Sequence, residues 1–522
     1  MKLFALLKNY HFTIFTISLY LVMVCHNLFW QTITTNPNVT PHPSYFLLFI
    51  IGAFLTFLYA LILELITFSL NARLMLIVIT LITTISSYYM NHFHISINPM
   101  IIESLFKTNL NEAKDFINLS MIFKILLLLT IPLIMIFLID TKNKSLFIKT
   151  KFLLLFFYLL ILIAIWVCQG KNITFIFKSY KPTIDMLNPI APIRSTIRYF
   201  SNIINTPKTY TFVGADAKIT PNDKPKIFAL IIGESARAKN FEFNNYHKPT
   251  NPFTKNLDIL NFKDFYSCGV ITAISIPCML TDLTHQTYTS RNLSLFRNNL
   301  LDIAQNTGYD VWWISNNGGE CMGKVCRNIK NISYYNQQHL DTDMLQEINT
   351  IISNTKNNTF LIINLHGSHG AKYFERYPKD FEFFHPVCKD ENLQNCTQES
   401  LQNAYDNSLR YTDYFISQVI SFLKESSLDS GLWYVSDHGE SLGEYGQFMH
   451  GGLPYNLAPK DQKHIPSYIW LNKELKTQFY DKIQKQTHTH LTHDTIFHTI
   501  LHFLNIETKD YNKQLDIIEM KK

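Results

Sequence analysis

Long apolar stretches dominate the first 170 residues, whereas the later part of the chain alternates short apolar runs with polar segments. Most of the long stretches approach the roughly 20 residues that a helix needs to cross a bilayer. We therefore predict a transmembrane domain of five α-helices over residues 1–170, with apolar runs at 12–30, 45–70, 74–90, 119–139 and 152–168. Glu64 falls inside the second run, where it either faces a cavity or snorkels toward the helix end.

Basic residues predict how these helices are oriented. They lie before the first run and in the second and fourth loops, and the first loop has none: Lys2, Lys8, Arg73, Lys142, Lys144, Lys149 and Lys151. Cytoplasmic loops of membrane proteins carry an excess of Lys and Arg. With five crossings, we expect everything after residue 170 to lie on the outer side of the membrane.

The rest of the chain reads as a linker followed by an α/β domain. Residues 171–225 are rich in proline and scattered aromatics, which is typical of amphipathic juxtamembrane helices and a linker. From 226 to 522, near-continuous apolar strands alternate with helical stretches, which predicts a mostly parallel sheet covered on both faces. The predicted strands are 227–232, 311–314, 360–365 and 432–436, and the predicted helices are 299–306, 341–353 and 403–425.

Charge follows the same division. Residues 1–170 carry 15 charged side chains, whereas residues 171–522 carry 71 and are nearly neutral overall. A nucleic-acid binder needs a concentrated basic face, so we expect no nucleic-acid partner. The 40 Phe and 27 Tyr can bury ample surface, which excludes a disordered chain.

Cysteine spacing supports an exported second domain. Two of the 8 Cys lie in the apolar runs, and the other six form close pairs after residue 170: Cys268/Cys278, Cys321/Cys326 and Cys388/Cys396. An even number of cysteines in local pairs on an exported face indicates three disulfides. The alternative, a structural zinc site, favours C-x-x-C pairs, which the sequence lacks.

Polar residues follow three of the four predicted strands. Because the carboxyl ends of parallel strands meet at one edge of a sheet, we expect these segments to share a crevice. Read singly, they would be a helix cap and turns; read together, their carboxylates and imidazole suit Zn²⁺, or Mn²⁺ as the second option. The segments are 233–235 (GES), 366–370 (HGSHG) and 437–440 (DHGE), and the candidate ligands are Glu234, Asp437 and His438.

Several hydroxyl groups could serve as a nucleophile in this crevice. Ser235 follows the first strand, and Ser267 and Thr272 lie in the segment 267–273 (SCGVITA). A free alcohol is a poor nucleophile at neutral pH and needs a metal or a neighbouring base. The residue types alone leave the choice among these hydroxyls open.

Four strings resemble the motifs of the phosphoethanolamine transferases, which include the lipid A-modifying, polymyxin-resistance enzymes of Gram-negative bacteria. They are 232–237 (IGESAR), 267–269 (SCG) with Thr272 and 277–279 (PCM), 367–370 (GSHG) and 437–444 (DHGESLGE). The resemblance covers essentially the whole chain. It implies an alkaline phosphatase/sulfatase-type fold for the second domain, a multi-pass protein of the bacterial inner membrane with its catalytic domain in the periplasm, and a monomer.

The resemblance also implies roles for individual residues. Thr272 matches the nucleophile, and Glu234, Thr272, Asp437 and His438 match the ligands of a catalytic zinc. Positions that match substrate contacts or a second zinc site are His369, His450, Glu440, His464, Thr108 and Glu112.

Three positions depart from the family pattern. Ser104 stands where Asn is usual, Val270 stands where a hydroxyl residue is frequent, and Met322 stands where Lys is usual, with Lys324 nearby. These departures concern the donor and acceptor contacts and leave the metal ligands intact.

The implied reaction transfers phosphoethanolamine from phosphatidylethanolamine to a cell-envelope acceptor through a phosphoethanolamine-threonine intermediate. Lipid A phosphate is the foremost acceptor, and its modification would contribute to resistance against cationic peptides and polymyxin. The alternatives are another acceptor (core oligosaccharide, a glycan or a protein), a phosphoglycerol transferase, or a receptor that only binds zinc. A sulfatase is disfavoured because residues 275–279 (SIPCM) lack the Arg of its C/S-x-P-x-R run.

Histidines are frequent near the C-terminus. We interpret them as helical and capping residues rather than a second metal cluster, because the His-Asp pair at 493–494 opens an apolar helix. They are His488, His490, His493, His498 and His502.

Overall fold

The computed structural model divides the chain into two compact units. The membrane unit comprises the described residues up to Phe200, and the second unit comprises those from Ser201 onward together with Lys107. The structure describes residues 9–36, 42–67, 71–107, 117–139, 144–179, 181–204, 209–220, 224–318, 321–335, 339–390, 393–444, 447–451 and 453–521.

Apolar helices build the membrane unit. Four are long and apolar enough to cross a membrane, and a pair bent by 48° supplies a fifth span if it is counted as one. The bent pair is α1 (Tyr10–Val24) and α2 (Asn27–Thr35); the long helices are α3 (Tyr45–Ile66), α4 (Ala72–Phe93), α6 (Leu119–Leu138) and α7 (Lys144–Ser179), and the shorter ones are α5 (Pro99–Lys107) and α8 (Ile190–Ile204). The predicted helical membrane domain is confirmed, with its first span broken.

The third span is longer than its apolar run suggested. Helix α4 covers 22 residues, and its Thr and Ser residues are packed inside the unit rather than ending the helix. The side chains of Thr83 and Thr84 each donate a hydrogen bond to the carbonyl four residues earlier, at 2.7 and 2.9 Å. Hydroxyls that bond within their own helix are tolerated in an apolar environment.

Glu64 does not snorkel toward the helix end, contrary to one of the two sequence-based interpretations. Its carboxylate is fully buried, with Oε1 lying 2.7 Å from His11 Nδ1 and Oε2 lying 3.7 Å from Lys151 Nζ. Lys151 also donates to the Tyr10 hydroxyl at 3.2 Å and to Thr67 Oγ1 at 3.3 Å. This charged cluster joins α1, α3 and α7.

A seven-stranded sheet forms the centre of the second unit. Its strands are β2 (Lys226–Gly233), β3 (Leu260–Phe262), β5 (Asp310–Ser315), β6 (Asn331–Tyr334), β7 (Thr359–Asn364), β8 (Asp429–Ser436) and β11 (Ser467–Leu471). They lie in the order β3-β11-β8-β2-β7-β5-β6. Strands β8, β2, β7, β5 and β6 are parallel, and β11 is antiparallel to both of its neighbours. The predicted, mostly parallel α/β fold is confirmed.

Helices and short strand pairs surround this sheet. The helices are α9 (Thr272–Met279), α10 (Leu300–Asn306), α11 (Leu345–Asn354), α12 (Gln398–Glu425), α13 (Lys473–Gln484) and α14 (Ile496–Phe503). The paired strands are β1 (Lys218–Ile219) with β13 (Ile506–Glu507), β4 (Phe265–Tyr266) with β12 (Leu491–Thr492), and β9 (Ser441–Leu442) with β10 (Phe448–Met449).

The central strands have side chains buried on both faces. All eight residues of β2 are buried, and Phe228, Leu230 and Ile232 belong to one core with residues of α10 and α14. Side chains alternate along a strand, so Ala229 and Ile231 point to the other face. This two-sided burial explains why four central strands were predicted from continuous apolar runs. The edge strands β3 and β6 were missed, and so was β11, although all five of its residues are buried.

The structure contains the three disulfides that the cysteine spacing indicated: Cys268–Cys278, Cys321–Cys326 and Cys388–Cys396. The members of the first two pairs and Cys388 are buried, whereas Cys396 is only half-buried. Cys396 lies just before α12, and its backbone N–H donates to the Leu393 carbonyl at 3.2 Å. The third disulfide therefore closes a partly exposed turn. Cys25 and Cys168 are free.

The segment interpreted as juxtamembrane is largely helical. Helix α7 continues beyond its apolar run to Ser179, and α8 occupies Ile190–Ile204. The domain limits 1–170, 171–225 and 226–522 stay predictions.

Candidate active site

Three segments of the second unit bring four of the predicted site residues together. Glu234 directly follows β2, Asp437 and His438 directly follow β8, and Thr272 is the first residue of α9. Thr272 Oγ1 lies 3.0 Å from Glu234 Oε2 and 3.2 Å from His438 Nε2. His438 Nε2 lies 3.3 Å from both Glu234 Oε1 and Asp437 Oδ2.

Tight turns hold these segments at the edge of the sheet. Ser235 has a left-handed φ of 56°, and its backbone N–H donates to Asp437 Oδ1 at 3.1 Å. Gly367, with φ of 54°, packs on Glu234, where an added Cβ would lie 3.0 Å from the backbone N and O of Glu234. A side chain at Gly367 would therefore push apart the loops that follow β2 and β7.

Asn317 is a site residue that the sequence reading missed. It follows β5 and donates from Nδ2 to Glu234 Oε2 at 2.6 Å, the oxygen that also accepts from Thr272. The available signal was its position, because polar residues follow β5 as they follow the other central strands. Asn317 lacks the charge that made those other segments stand out.

The electrostatics of this cluster favour a bound cation. Burial raises the pKa of Asp437 well above its usual range, and the carboxylate of Glu234 raises it further. Burial alone would raise the pKa of Glu234 too, but the imidazoles, foremost His438, bring it down to about 2. Among the described residues, no Lys or Arg pairs with either carboxylate, and Asp437 Oδ2 is buried without a hydrogen-bond partner.

His438 directs a nitrogen lone pair toward the same two carboxylates. His438 Nδ1 lies 2.9 Å from the Gly439 carbonyl, to which it can only donate, so Nε2 is the free acceptor. A lone pair facing two carboxylates is unfavourable unless a cation lies between them. Two carboxylates, one imidazole and a hydroxyl are donors that zinc accepts, so the residues fit a divalent metal.

Three further predicted residues adjoin this cluster. The ring centroid of His450 lies 4.0 Å from that of His438 and 6.1 Å from that of His369. His450 Nδ1 lies 3.4 Å from Glu440, whose pKa burial raises to about 8. Ligand atoms of Glu234, His438 and His450 all lie within 4.8 Å of one another, so His450 could also reach a metal.

The other predicted substrate contacts lie elsewhere or outside the described residues. His464 Nε2 lies 3.0 Å from the Lys263 carbonyl, and its ring stacks on Tyr266. These side-chain contacts are with the segment that contains β3 and β4 rather than with the cluster. Ser104 belongs to the membrane unit and donates to the Met100 carbonyl at 3.1 Å. Thr108 and Glu112 fall outside the described residues.

The disulfides differ in how they relate to the cluster. Cys268–Cys278 brackets the segment that carries Thr272, and Lys324 lies in the turn closed by Cys321–Cys326. Cys396, by contrast, has described contacts only with Cys388 and with the Leu393 carbonyl in the turn before α12. Cys388 and Cys396 therefore stabilise a local turn and, among their described contacts, touch none of the cluster residues.

His493 begins the helical turn His493–Thr495 but does not cap it. Thr492 is the residue that caps the turn, since its hydroxyl accepts from the Asp494 backbone N–H at 3.2 Å. His493 is instead fully buried, with Nδ1 lying 3.1 Å from the Cys268 backbone N and Nε2 lying 2.9 Å from the Ser436 carbonyl. It contacts the segments that carry Thr272 and the Asp437–His438 pair.

Comparisons with known proteins agree with both units. The family described as "Phosphoethanolamine transferase EptA/EptB" matches residues 55–204, and the sulfatase family matches residues 226–506. The chain is 35% identical to phosphoethanolamine transferase EptA of Escherichia coli K12 over 67% of this chain and 66% of that protein, just under two thirds of its length.

Two further comparisons cover more of the chain. Phosphatidylethanolamine transferase Mcr-1 of Escherichia coli is 32% identical over 83% of each chain. The solved structure of the integral membrane lipooligosaccharide phosphoethanolamine transferase A from Neisseria meningitidis superposes with a TM-score of 0.90, at 26% identity, over 97% of this chain and 98% of that one. By sequence and by fold, the chain belongs to the phosphoethanolamine transferase family of the alkaline phosphatase/sulfatase superfamily.

Proposed function

We propose that this protein transfers phosphoethanolamine from phosphatidylethanolamine to a phosphate of lipid A, with Thr272 as the nucleophile. The observation that carries the proposal is the position of Thr272 Oγ1, 3.0 Å from Glu234 Oε2 and 3.2 Å from His438 Nε2. Of the three hydroxyls considered, Ser235 and Ser267 are fully buried, whereas Thr272 is partly exposed. Ser267 also donates to the Gly269 carbonyl at 2.6 Å.

Zn²⁺ is the metal that we propose for the cluster, held by Glu234, Thr272, Asp437 and His438. When bound, it supplies Lewis-acid chemistry, lowering the pKa of the threonine hydroxyl and neutralising charge on the phosphodiester. The unpartnered Asp437 Oδ2 and the mixed oxygen and nitrogen donors support this choice.

The protein groups divide the transfer into two displacements. In the first, Thr272 Oγ forms a bond to the phosphorus of phosphatidylethanolamine and the phosphorus–oxygen bond to diacylglycerol breaks. The proton of Thr272 leaves along its hydrogen bond to Glu234 Oε2 and ends on the departing diacylglycerol oxygen. In the second, an oxygen of the acceptor phosphate attacks the same phosphorus, and Thr272 Oγ leaves and regains its proton. Two lipids thereby use one site in turn.

Groups around Thr272 favour negative charge on the phosphoryl oxygens of the substrate. Thr272 is the first residue of α9, so the positive end of the helix dipole lies beside the reacting oxygen. We propose that His369, His450 and Glu440 form the rest of the pocket for the transferred phosphate, because His450 lies beside His438, and His369 and Glu440 lie beside His450.

The setting that we propose is the bacterial inner membrane, with the second unit in the periplasm and the protein acting as a monomer. Arg73, at the start of α4, donates to the Ile139 carbonyl at the end of α6, which puts the second and fourth loops on one face of the membrane unit. Both loops carry the basic residues expected on the cytoplasmic side. Adding an ammonium to lipid A would lower the negative surface charge and weaken polymyxin binding.

A covalent intermediate tests the proposal. The full-length protein, purified in detergent with zinc, is incubated with phosphatidylethanolamine and no acceptor, and its peptides are analysed by mass spectrometry. We expect phosphoethanolamine on Thr272. An adduct on Ser235, or no adduct on any peptide, would overturn the assignment.

Donor and acceptor are tested in the same preparation. Phosphatidylglycerol replaces phosphatidylethanolamine as the donor, and we expect no adduct; a phosphoglycerol adduct would point to the rival transferase. Lipid A, core oligosaccharide and a soluble glycan are then added to the loaded protein. Release of phosphoethanolamine onto lipid A is the expected result, and faster transfer to either of the others would reassign the acceptor.

A further inference from the structure

Two segments that are distant in sequence must be held in register for the site to work. Thr272 follows the loop that contains Cys268, and the Asp437–His438 pair follows Ser436 at the end of β8. The 3.2 Å between Thr272 Oγ1 and His438 Nε2 depends on how these two segments are placed. His493 is a fully buried side chain that hydrogen-bonds to both of them.

The hydrogen bonds fix the state of the His493 ring. The Cys268 backbone N–H can only donate, so Nδ1, at 3.1 Å, is the acceptor. The Ser436 carbonyl can only accept, so Nε2, at 2.9 Å, carries the proton. The imidazole is therefore neutral and acts as a rigid link with an acceptor at one end and a donor at the other.

A second histidine hydrogen-bonds to the carbonyl of the same residue, Cys268. His285 Nδ1 lies 2.8 Å from the Cys268 carbonyl, to which it donates, and the His285 backbone N–H donates to Asp494 Oδ1 at 2.7 Å. The Tyr455 hydroxyl donates to the Ser267 carbonyl at 2.8 Å. The loop before Thr272 is thus held at successive backbone groups, and His493 is the link that extends to β8.

We propose that His493 is a positioning residue for phosphoethanolamine transfer, setting the distance between the Thr272 segment and the Asp437–His438 pair through hydrogen bonds at both ring nitrogens. This inference rests on the proposed function of Thr272. Among the described hydrogen bonds of the His493 ring, none goes to Thr272 or to a proposed metal ligand. Its effect is exerted through the backbone of Cys268 and Ser436.

Three variants separate the two hydrogen bonds from the bulk of the ring. His493→Phe keeps a ring and loses both bonds. His493→Asn keeps an acceptor near the position of Nδ1, and His493→Gln keeps a donor near the position of Nε2. The matched control is His498→Phe, since His498 is also buried on the same C-terminal segment and accepts one backbone N–H, from Asn512 at 3.1 Å.

The measurements are made on the full-length protein in detergent, with a water-soluble phosphoethanolamine ester as substrate and kcat expressed per bound zinc. For His493→Phe we expect kcat lower by about 10²-fold with KM within twofold, because a small misplacement of reacting groups has that size of effect. We expect His493→Asn and His493→Gln to fall between His493→Phe and the wild type, and His498→Phe to match the wild type.

Zinc affinity gives a readout that does not require turnover. Competition with a chromophoric chelator should show a zinc dissociation constant raised about tenfold in His493→Phe, the size seen when groups supporting a ligand are lost. If the wild type binds zinc but transfers nothing, the proposed function fails, and this measurement alone decides the role of His493.

The inference is overturned if His493→Phe equals His498→Phe in kcat per zinc and in zinc affinity. Should His493→Phe give no folded protein, the Asn and Gln variants decide, with kcat at least fivefold below the wild type as the expected result. If kcat of both variants were within twofold of the wild type, His493 would be a buried side chain with no positioning role.

Discussion

The buried carboxylate of Glu64 in the membrane unit and those of Glu234 and Asp437 in the second unit are neutralised differently. In the membrane unit, Glu64 has an ammonium and an imidazole of other helices beside it, from Lys151 and His11. In the second unit, Glu234 and Asp437 lie beside each other with imidazoles but, among the described residues, without a Lys or Arg partner. A buried charge needs a counter-charge, so the first cluster is complete within the chain and the second calls for an external cation.

The cluster around Glu64 is structural, whereas the cluster around Glu234 is suited to metal binding and catalysis. The charges around Glu64 join three helices and place opposite charges beside one another, which is the arrangement of a packing contact. The carboxylates of Glu234 and Asp437 both lie beside the lone pair of His438 Nε2, and Glu234 also accepts a hydrogen bond from the Thr272 hydroxyl. Substitutions should therefore affect stability in the first cluster, and metal binding and turnover in the second.

Thr272→Ala should give the largest loss. We expect turnover to fall by about 10⁴-fold or more, because removing a nucleophile leaves only binding and electrostatic effects. Zinc should stay bound, since three proposed ligands remain. Turnover of a labelled phosphatidylethanolamine analogue and metal content are measured together.

The control for this variant is Thr281→Ala, which removes a buried hydroxyl that bonds only to the Cys278 carbonyl, at 3.1 Å, among its described contacts. It should keep turnover within a few-fold of the wild type. If turnover of Thr272→Ala were within tenfold of the wild type, the second cluster would not be the site of the transfer reaction.

Asp437→Asn should empty the metal site and lower turnover by about 10³-fold. The substitution removes an anionic ligand and with it the excess negative charge that favours a cation. Metal content after dialysis, measured by mass spectrometry of the elements, checks the loss. Asp413→Asn is the control, because Asp413 is equally buried but accepts hydrogen bonds from Thr254 and Asn251. If Asp437→Asn kept its zinc while Asp413→Asn lost it, the charge argument would be wrong.

His369→Ala and His450→Ala should each lower turnover by about 10²-fold while one zinc stays bound. In this interpretation both imidazoles contact the transferred phosphate rather than the metal. Metal content of the two purified variants checks it. An empty site in His450→Ala would show that the ligand set is Glu234, His438 and His450 instead, since their ligand atoms also lie within reach of one ion.

Glu64→Ala should have the smallest effect on the reaction. It leaves Lys151 buried without its counter-charge, so we expect a loss of about 3–5 kcal/mol in the free energy of unfolding. Zinc content and turnover of the folded protein should stay within twofold of the wild type. Thermal unfolding in detergent measures the loss, and the double variant Glu64→Gln with Lys151→Met should regain part of it. Loss of zinc in Glu64→Ala would contradict the division between the clusters.

The sequence was informative where functional residues lie close in the chain to a recognisable element or to each other. The central strands read as apolar runs because both of their faces are buried, and Glu234, Asp437 and His438 stood out because each directly follows such a strand. The three disulfides were readable because each pair is close in the chain.

The sequence was less informative where a residue acts through a distant partner. No spacing rule links Glu64 to Lys151, and the snorkelling interpretation of Glu64 was wrong because it ignored long-range pairing. Asn317 carries no charge and was passed over, although it donates to Glu234. His493 was interpreted from its local context, the start of a helix, whereas its hydrogen bonds reach Cys268 and Ser436.

The order of these segments along the chain also has a consequence for biosynthesis. Glu234 is synthesised first, Asp437 follows about 200 residues later, and His493 comes later still. At elongation rates of about 5–20 residues per second, roughly 10–40 s separate Glu234 from Asp437 on the ribosome. A nascent chain can hold Glu234 and Thr272 but not the complete cluster, so translation itself delays the first turnover until nearly the whole protein has been made.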